Sequence, residues 1–338
     1  MKIDKKSYLI DVPVKLNIWI RPECQRKQFE VIKKVRPSIL FLVSDGGRNE
    51  KEWELINQNR RIFEEEIDWE CEVYKIYEEH NNGLYKMAQK RNAIIWNKVE
   101  KCILLEDDQI PSVSFFRFCK EMLDKYEYDE RINCICGMNH LGEYDCGEGD
   151  YFFSRQGSIW GIATWKRAYM KYYDFSYGKD KYIMRLLKQR TTHNKWMWKR
   201  LKGYLNNEFY DGHPAGAEFF IELSMYLDNQ LQIIPKKNLI KNIGCNKDSV
   251  HSDDIKLLPR GIRKVFNMEI YELQWPLTYQ KNVIPDIYYE KKRNKIMAYN
   301  NKSIYYYRRL ERIFLKIRYG KIKDLVLEIK YKVFCKEK

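Results

Sequence analysis

The chain has 338 residues, 44% of them hydrophobic, which is enough to bury a substantial core in one large domain carrying an appendage. Its longest apolar runs, such as "ILFLV" and "CILL", fall far short of the ~18 residues of a membrane span, and "MKIDKKSYLIDVPVK" lacks the apolar stretch of a secretory leader, so a soluble, cytoplasmic protein is expected. Nine cysteines, an odd number with no C-x-x-C pair, argue for a reducing compartment and against a zinc or disulfide framework. The formal charge of +15 is concentrated: residues 291–338 hold sixteen Lys and Arg against four Asp and Glu, leaving +3 for the rest.

In chain order the first half alternates apolar runs with helix-periodic segments. "KLNIWI" predicts a strand, followed by a helix that turns Phe29, Ile32 and Val35 inward; "ILFLV" precedes an acid-rich helix, "CEVYKIY" a helix over Leu84 to Val99, and "CILL" closes the series. Repeated β-α units imply a parallel sheet with helices on both faces, and in such sheets ligands gather beyond the carboxyl ends of the strands. Those ends read Arg21-Pro22, Ser44-Asp45-Gly46-Gly47, "EEHNNG" and Glu106-Asp107-Asp108, all polar or turn-forming. "SVSFFRFCKEMLDKY" then predicts a helix with Phe115, Phe118, Met122 and Leu123 inward, and "INCICGMN" and "DYFFSR" predict two strands. Residues 179–203 form a basic helical insertion, "AEFFIELSMYL" a helix, "LQIIP" a short strand and "LIKNIGCNKDSVHSDD" a loop.

The main chemical signal is an apolar strand that ends in three acids. Carboxylates are rarely buried unpaired, so Glu106-Asp107-Asp108 marks either a solvated turn or a place where a cation gathers them. Mg²⁺ or Mn²⁺ held by one or two protein oxygens fills its other sites with water and phosphate, which makes a nucleotide diphosphate the natural ligand. Asp45 precedes two glycines, so the backbone can turn tightly and offer a carboxylate to base or ribose hydroxyls; the same residue could instead cap the next helix. Lys86, Lys90 and Arg91 lie on the helix before the triplet strand, where some of them can face a diphosphate. His251, in "DSVHSDD", is a competent Mn²⁺ ligand as neutral imidazole or else a surface-loop histidine.

The segment "YKMAQKRNAIIWNKVEKCILLEDDQIPSVSFFRF" resembles the β-1,2-N-acetylglucosaminyltransferase family that acts on the N-glycan mannose core. It is also similar to bacterial nucleotide-diphospho-sugar transferases of the hemolytic-protein-like type. "IRPECQRK", "FLVSDGGR", "GSIWGIATW" and "IIPKKNLIKNIGCNKDSVHS" match in the same order, so the likeness runs over roughly residues 15–255. It implies the GT-A fold, a Rossmann-like, mostly parallel α/β sheet with flanking helices. The catalytic domain would span 12–258, including the basic insertion, with a basic amphipathic helical region over 259–338. It further implies a metal-dependent, inverting hexosyl- or N-acetylhexosaminyltransferase of bacterial polysaccharide biosynthesis. The cofactor would be Mn²⁺ or Mg²⁺, the donor a nucleotide-diphosphate sugar with UDP-sugar favoured, and the acceptor a glycan or lipid-linked glycan.

Position by position, the resemblance implies that Arg21 and Asp45 contact the nucleoside, with Pro22 and Gly46 beside them in the nucleotide-sugar site; Lys90 and Arg91, by their place on the helix before the triplet strand, are expected to join it at the diphosphate. It implies that Asp107 lies beside the ribose and sugar, that Asp108 ligates the metal, and that His251 sits near the donor phosphates. Arg91-Asn92 also resembles the R-N pair of inverting glycosyltransferases, although Ala93-Ile94 follow where that family has a glycine. An inverting transfer needs a base for the acceptor hydroxyl. The family's base aspartate aligns near Glu218 in "DGHPAGAEFF", where the acid is Glu and the flanking tryptophans are absent; Asp211 is the other acid there, and a salt-bridged helix carboxylate is the alternative for Glu218. Trp160-Gly161 resembles the acceptor-side Trp-Gly of such enzymes, with core packing as the alternative.

Within residues 304–333, Tyr306, Leu310, Ile313, Phe314 and Ile317 fall on one helical face, with Arg308, Arg309, Arg312 and Lys316 around the rest. That pattern suits an anionic membrane surface, at the inner face of the cytoplasmic membrane; the same face could instead pack on the domain. Nucleic-acid binding, with no recognised motif behind it, is not expected. A sugar-phosphate nucleotidyltransferase, the main rival activity, should carry a glycine-rich G-x-G-T-R after its first strand, where this chain has "IWIRPECQR".

Overall fold

The computed structural model describes residues 5–83, 88–169, 176–192, 194–204, 209–210, 213–244, 255–266 and 268–327. Strand β1 (Val14–Ile18), helix α1 (Pro22–Val35), β2 (Ile39–Ser44), α2 (Glu50–Glu65), β3 (Glu72–Tyr77), α3 (Ala88–Trp96) and β4 (Lys101–Leu105) alternate as the sequence predicts. They are followed by β5 (Gln109–Pro111), α4 (Val113–Lys125), β6 (Ile132–Cys136), β7 (Tyr151–Ser154), β8 (Ile162–Trp165) and α5 (Lys166–Tyr169). The expected basic insertion is two helices, α6 (Lys181–Arg190) and α7 (Lys195–Gly203). After a hairpin of β9 (Phe209–Tyr210) and β10 (His213–Pro214) come α8 (Ala217–Leu227), β11 (Leu231–Pro235), β12 (Ile240–Asn242), α9 (Arg260–Phe266), α10 (Ile287–Met297) and α11 (Lys302–Arg318).

Eight strands make one sheet in the order β3-β2-β1-β4-β8-β6-β11-β7, with β8 and β7 running against the others. The protein is therefore α/β with a mostly parallel sheet and flanking helices, as expected. Of the strands that the sequence reading did not foresee, two bear on the site. "IATW" pairs antiparallel between β4 and β6 as β8, with all four residues buried, so it shows no alternation for a periodicity argument to catch. The start of the expected loop, "IKN", pairs as β12 with β5, just past the acidic triplet.

Local chemistry explains the main elements. Pro22 opens α1, where its missing N–H costs nothing, and Gln25, Gln28, Phe29, Ile32 and Val35 recur at helical spacing on its buried side. Asn49 caps α2 by accepting from Glu52 N, and Ser112 caps α4 by accepting from Phe115 N. Along β1, Val14, Leu16 and Ile18 enter the core under α1 and α4 with Phe29, Phe115 and Phe118, while Lys15 and Asn17 face the opposite side half-buried. On that opposite side a second core gathers Phe41, Trp96, Cys102, Cys134, Leu201 and Phe219 beneath α3, α7 and α8.

The domain boundary expected at 258 is not where packing stops. Glu272 accepts from Val113 N and Ser114 N at the start of α4, Trp275 Nε1 and Tyr279 Oη both donate to Glu121, and Asp286 N donates to the Phe153 carbonyl at the end of β7. Tyr289 is fully buried and its hydroxyl accepts from His140 N. Residues 269–297 thus belong to the packed body, because their few large aromatics find partners there despite a charged local composition. Among the described residues no helix is long and apolar enough to cross a membrane.

Candidate active site

The strand order reverses between β1 and β4: β2 and β3 lie on one side of β1, and the chain then returns to place β4 on its other side. Connections diverge there and leave a crevice at the carboxyl ends of the two strands, the usual ligand position in an open α/β sheet. Arg21 leaves β1 and the acidic triplet leaves β4, so the reversal brings them together. Arg21 Nη1 donates to Asp107 Oδ2 at 2.9 Å, Asp107 Oδ1 at 3.1 Å and Asp108 Oδ2 at 3.2 Å, with the guanidinium and Asp107 buried.

The triplet is held rigidly from several directions. Gln28 of α1 donates to the carbonyls of Glu106 and Gln109 at 2.7 and 2.8 Å. Gln109 Oε1 accepts from Glu106 N and from Gly161 N, which ties the turn to the start of β8. Asn242, at the end of β12, donates to Asp108 Oδ1 at 3.0 Å, and a Cβ on Gly244 would stand 2.0 Å from Asp108 Oδ2, so the glycine is what lets this loop close over the carboxylate.

Crowded acids resist ionisation. Burial pushes Asp107 up to about 6, with the nearby Asp108 adding to the rise and Arg21 opposing it. Burial likewise raises Asp108 against the pull of Arg21. Glu106 is pushed up to about 7, first by burial and then by Asp108, with Lys15 opposing and Asp107 and Glu218 adding. Burial alone would lower Arg21, but the two aspartates outweigh it and raise it. On the second face of β1, burial lowers the Lys15 ammonium against the attraction of Glu106. Three carboxylates thus face one guanidinium and one weakened ammonium, an excess of negative charge that a cation would relieve.

The other strand ends behave differently. Asp45 Oδ1 accepts from Gly46 N, Asn82 N and Arg91 Nη2, the last at 2.8 Å, and Oδ2 accepts from Gly83 N at 2.9 Å. Arg91 also reaches Glu78 at 3.3 Å. A Cβ on Gly46 would lie 2.4 Å from the His80 carbonyl carbon, so the Asp45 turn and the 78–83 loop are pressed together. Asp45, Gly46 and Arg91 therefore bind each other and shape the crevice wall. Pro22 is half-buried at the start of α1, and Lys90 is exposed on α3.

Trp160 is half-buried against Phe266 of α9, ring centroids 4.9 Å apart, and Gly161 has φ +57° with Ile240 Cδ1 only 2.1 Å from where a Cβ would be. Both make packing contacts that join α9 to the triplet through Gln109. Glu218 is exposed in the first turn of α8, and its charge reaches Glu106 as well as Glu222, which burial pushes up to about 7 beside its ion-pair partner Arg200. It thus borders the crevice from the second face. His251, Lys86 and Asp211 lie outside the described residues.

Sequence reasoning gave no role to Lys15, Gln28, Gln109 or Asn242. One signal was available: Gln25 and Gln28 occupy the inward stripe of α1 among Phe29, Ile32 and Val35, where a polar side chain needs a partner. Among the described residues no three His, Cys, Asp or Glu side chains are arranged to hold a metal ion by themselves.

No family model matches the chain, and no curated protein does. Among solved structures, the mannosyltransferase PcManGT from Pyrobaculum calidifontis in complex with GDP-Man and Mn²⁺ overlaps at TM-score 0.36 and 7% identity, over 67% of this chain and 72% of that one. S. aureus TarS 1-349 in complex with UDP gives 0.36 and 10%, over 68% and 60%. A UDP-glucose pyrophosphorylase complexed with UDP-glucose gives 0.32 and 9%, over 68% and 92%. Overlaps this shallow leave the chemistry to be read from the chain's own residues.

Proposed function

We propose that the chain is a metal-dependent glycosyltransferase of the GT-A type. It moves a hexosyl or N-acetylhexosaminyl group, with inversion, from a nucleotide-diphosphate sugar to a glycan or lipid-linked glycan in bacterial polysaccharide synthesis. The observation that carries this reading is the buried Arg21–Asp107–Asp108 cluster at the β1/β4 reversal. A neutral crevice would suit a neutral ligand; one with surplus carboxylate suits a cation that in turn gathers phosphates.

The residues present fit Mn²⁺ or Mg²⁺, since such an ion needs only one or two protein oxygens beside phosphate and water. Asp108 would hold it, with His251 as a further ligand, and the ion would stabilise the departing nucleoside diphosphate. Arg21 orients both aspartates. Asp107 is left beside the ribose and sugar. The Asp45–Arg91 wall, with Pro22, Gly46 and Lys90 on the rim, encloses the nucleoside and diphosphate, and UDP-sugar is the favoured donor. On the far side Glu218 accepts the proton of the attacking hydroxyl, and Trp160 and Gly161 border the acceptor.

The rival nucleotidyltransferase needs a glycine-rich loop after β1 to wrap phosphates, whereas here the chain runs from Ile18 through Trp19, Ile20 and Arg21 directly into Pro22 and α1. The test is thermal unfolding against a panel of UDP- and GDP-sugars with and without Mn²⁺. One of them should raise the melting temperature only with metal, and less in Asp108→Ala. Stabilisation by a nucleoside triphosphate plus sugar phosphate, and by no nucleotide sugar, would overturn the reading in favour of the rival.

A further inference from the structure

Helix α11 sits on the body with its apolar stripe turned outward. At about 100° per residue, Ile304, Arg308, Glu311 and Leu315 share one side of the helix, while Tyr306, Leu310, Ile313 and Ile317 share the opposite one, with Phe314 flanking them. The first set is the docked side: Leu315 is buried and the other three are half-buried. Glu311 accepts from Arg260 N at 2.9 Å, and Arg308 lies so close to Gly261 that a Cβ there would be 2.6 Å from Nη2. Apart from half-buried Ile313, the second set is open: Tyr306 is 56% exposed, Leu310 68%, Phe314 60% and Ile317 51%. A helix that only completes a domain buries its apolar stripe and leaves its charges in water. Here Arg308 and Glu311 share the contact with Ile304 and Leu315, while Leu310 and Phe314 stay out of it.

Three properties of that outward face specify an occupant. It continues at its start into the exposed run Tyr305, Tyr306 and Tyr307, amphipathic rings suited to the boundary between water and hydrocarbon. The helix carries six Lys and Arg against one Glu, so it complements negative charge. Exposed Arg309 and Arg318 flank the apolar stripe on its two sides, where their stems can cover apolar surface while their heads reach outward. A second copy of the chain would meet the same positive charge.

We propose that the outward face of α11 docks on an anionic bilayer, its apolar side chains among the acyl chains and its basic residues at the headgroups. The contact series α11 to α9, α9 Phe266 to Trp160, and Gly161 to Gln109 beside the acidic triplet links this face to the crevice rim. Resting on the transferase reading, the docked orientation makes a lipid-linked glycan the acceptor class.

The test uses the full chain and vesicles of phosphatidylcholine with or without phosphatidylglycerol. The chain should sediment only with the anionic vesicles, and salt should release it. Leu310→Glu with Phe314→Glu changes only exposed positions and should weaken sedimentation by ~10-fold or more. Arg309→Glu with Arg318→Glu should weaken it on anionic vesicles alone. No preference for phosphatidylglycerol, or unchanged binding by the Leu310/Phe314 variant, overturns the proposal. So does light scattering that shows a dimer which this variant splits, since a second copy would then be the occupant. Stabilisation by Mn²⁺ and nucleotide sugar should be the same in the variant and the original chain. If vesicle binding behaves as expected but no nucleotide sugar stabilises the protein, the docking surface stands and the transferase reading falls.

Discussion

Asp45 at the end of β2 and Asp107-Asp108 at the end of β4 follow the two parallel strands that flank β1, yet the protein treats them in opposite ways. Asp45 takes one arginine nitrogen and three backbone N–H groups from its own turn and the 78–83 loop. Asp107 and Asp108 share a single nitrogen of Arg21, and burial has raised both. A carboxylate with four short-range donors is a structural fastener. A buried pair that shares one guanidinium nitrogen, with Asn242 as a further donor to Asp108 and a rigid frame of Gln28 and Gln109 around it, holds negative charge ready for something not made of protein.

The sharpest way to break this contrast is to delete each acid. Asp108→Ala should abolish transfer, by ~1000-fold or more, because the electrostatic hold on the leaving group is lost, while the melting temperature stays the same or rises as crowding is relieved. Near-normal, metal-dependent turnover in the purified variant would remove Asp108 from the site. Asp45→Ala should do the reverse. It leaves buried Arg91 without its closest carboxylate and three N–H groups without an acceptor, so a loss of about 3 kcal/mol is expected in urea unfolding. Loss of donor binding at undiminished stability would instead make Asp45 a nucleotide contact.

A smaller effect is expected at Glu218, exposed where the pair is buried. Glu218→Gln should lower turnover by ~100-fold while leaving donor-induced stabilisation unchanged, the scale of a lost general base. Full activity would redirect attention to Glu222, whose salt bridge to Arg200 sits one helical turn along.

How much of this was legible beforehand follows from the range of the interactions involved. The strand ends could be read because a charge directly after an apolar run is a local signal, and so the triplet, Arg21 and Asp45 were all picked out. The frame around the triplet could not: Gln28 meets Glu106 across 78 positions, and Asn242 meets Asp108 across 134. For the same reason the fastening of Asp45 could not be read, since its partners Asn82, Gly83 and Arg91 lie more than thirty positions away. Residues 269–297 read as part of a tail because their buried anchors, Leu277 and Tyr289, stand singly among polar residues with no periodic stripe. On α11 the periodic stripe was plain, but a stripe does not say which way it points.

The least expected consequence of the contrast concerns pH. Burial holds Asp107 up at about 6 and Glu106 up at about 7, both above their ordinary range near 4. Between those values the folded protein keeps protons that the unfolded chain has released, so the folded state binds more protons and stability falls as pH rises from about 4 to about 7. The penalty is complete above the folded values. Buried Glu222 acts in the same direction, whereas buried His140, lowered by desolvation, destabilises the fold below its ordinary value and gives the opposite slope. The total slope therefore mixes signs, and the informative quantity is the difference between the original chain and Glu106→Gln. Without divalent cation, Glu106→Gln should gain stability relative to the original as pH is raised from 5 to 8, by about 2 kcal/mol after allowing for partial exposure. Mn²⁺ supplies the missing positive charge, so its stabilising effect on the original chain should be larger at pH 8 than at pH 5 and smaller in the variant. Parallel stability curves for the two proteins, with Mn²⁺ equally effective at both pH values, would mean that the triplet ionises as freely as a solvated carboxylate and that no surplus charge is stored at the end of β4.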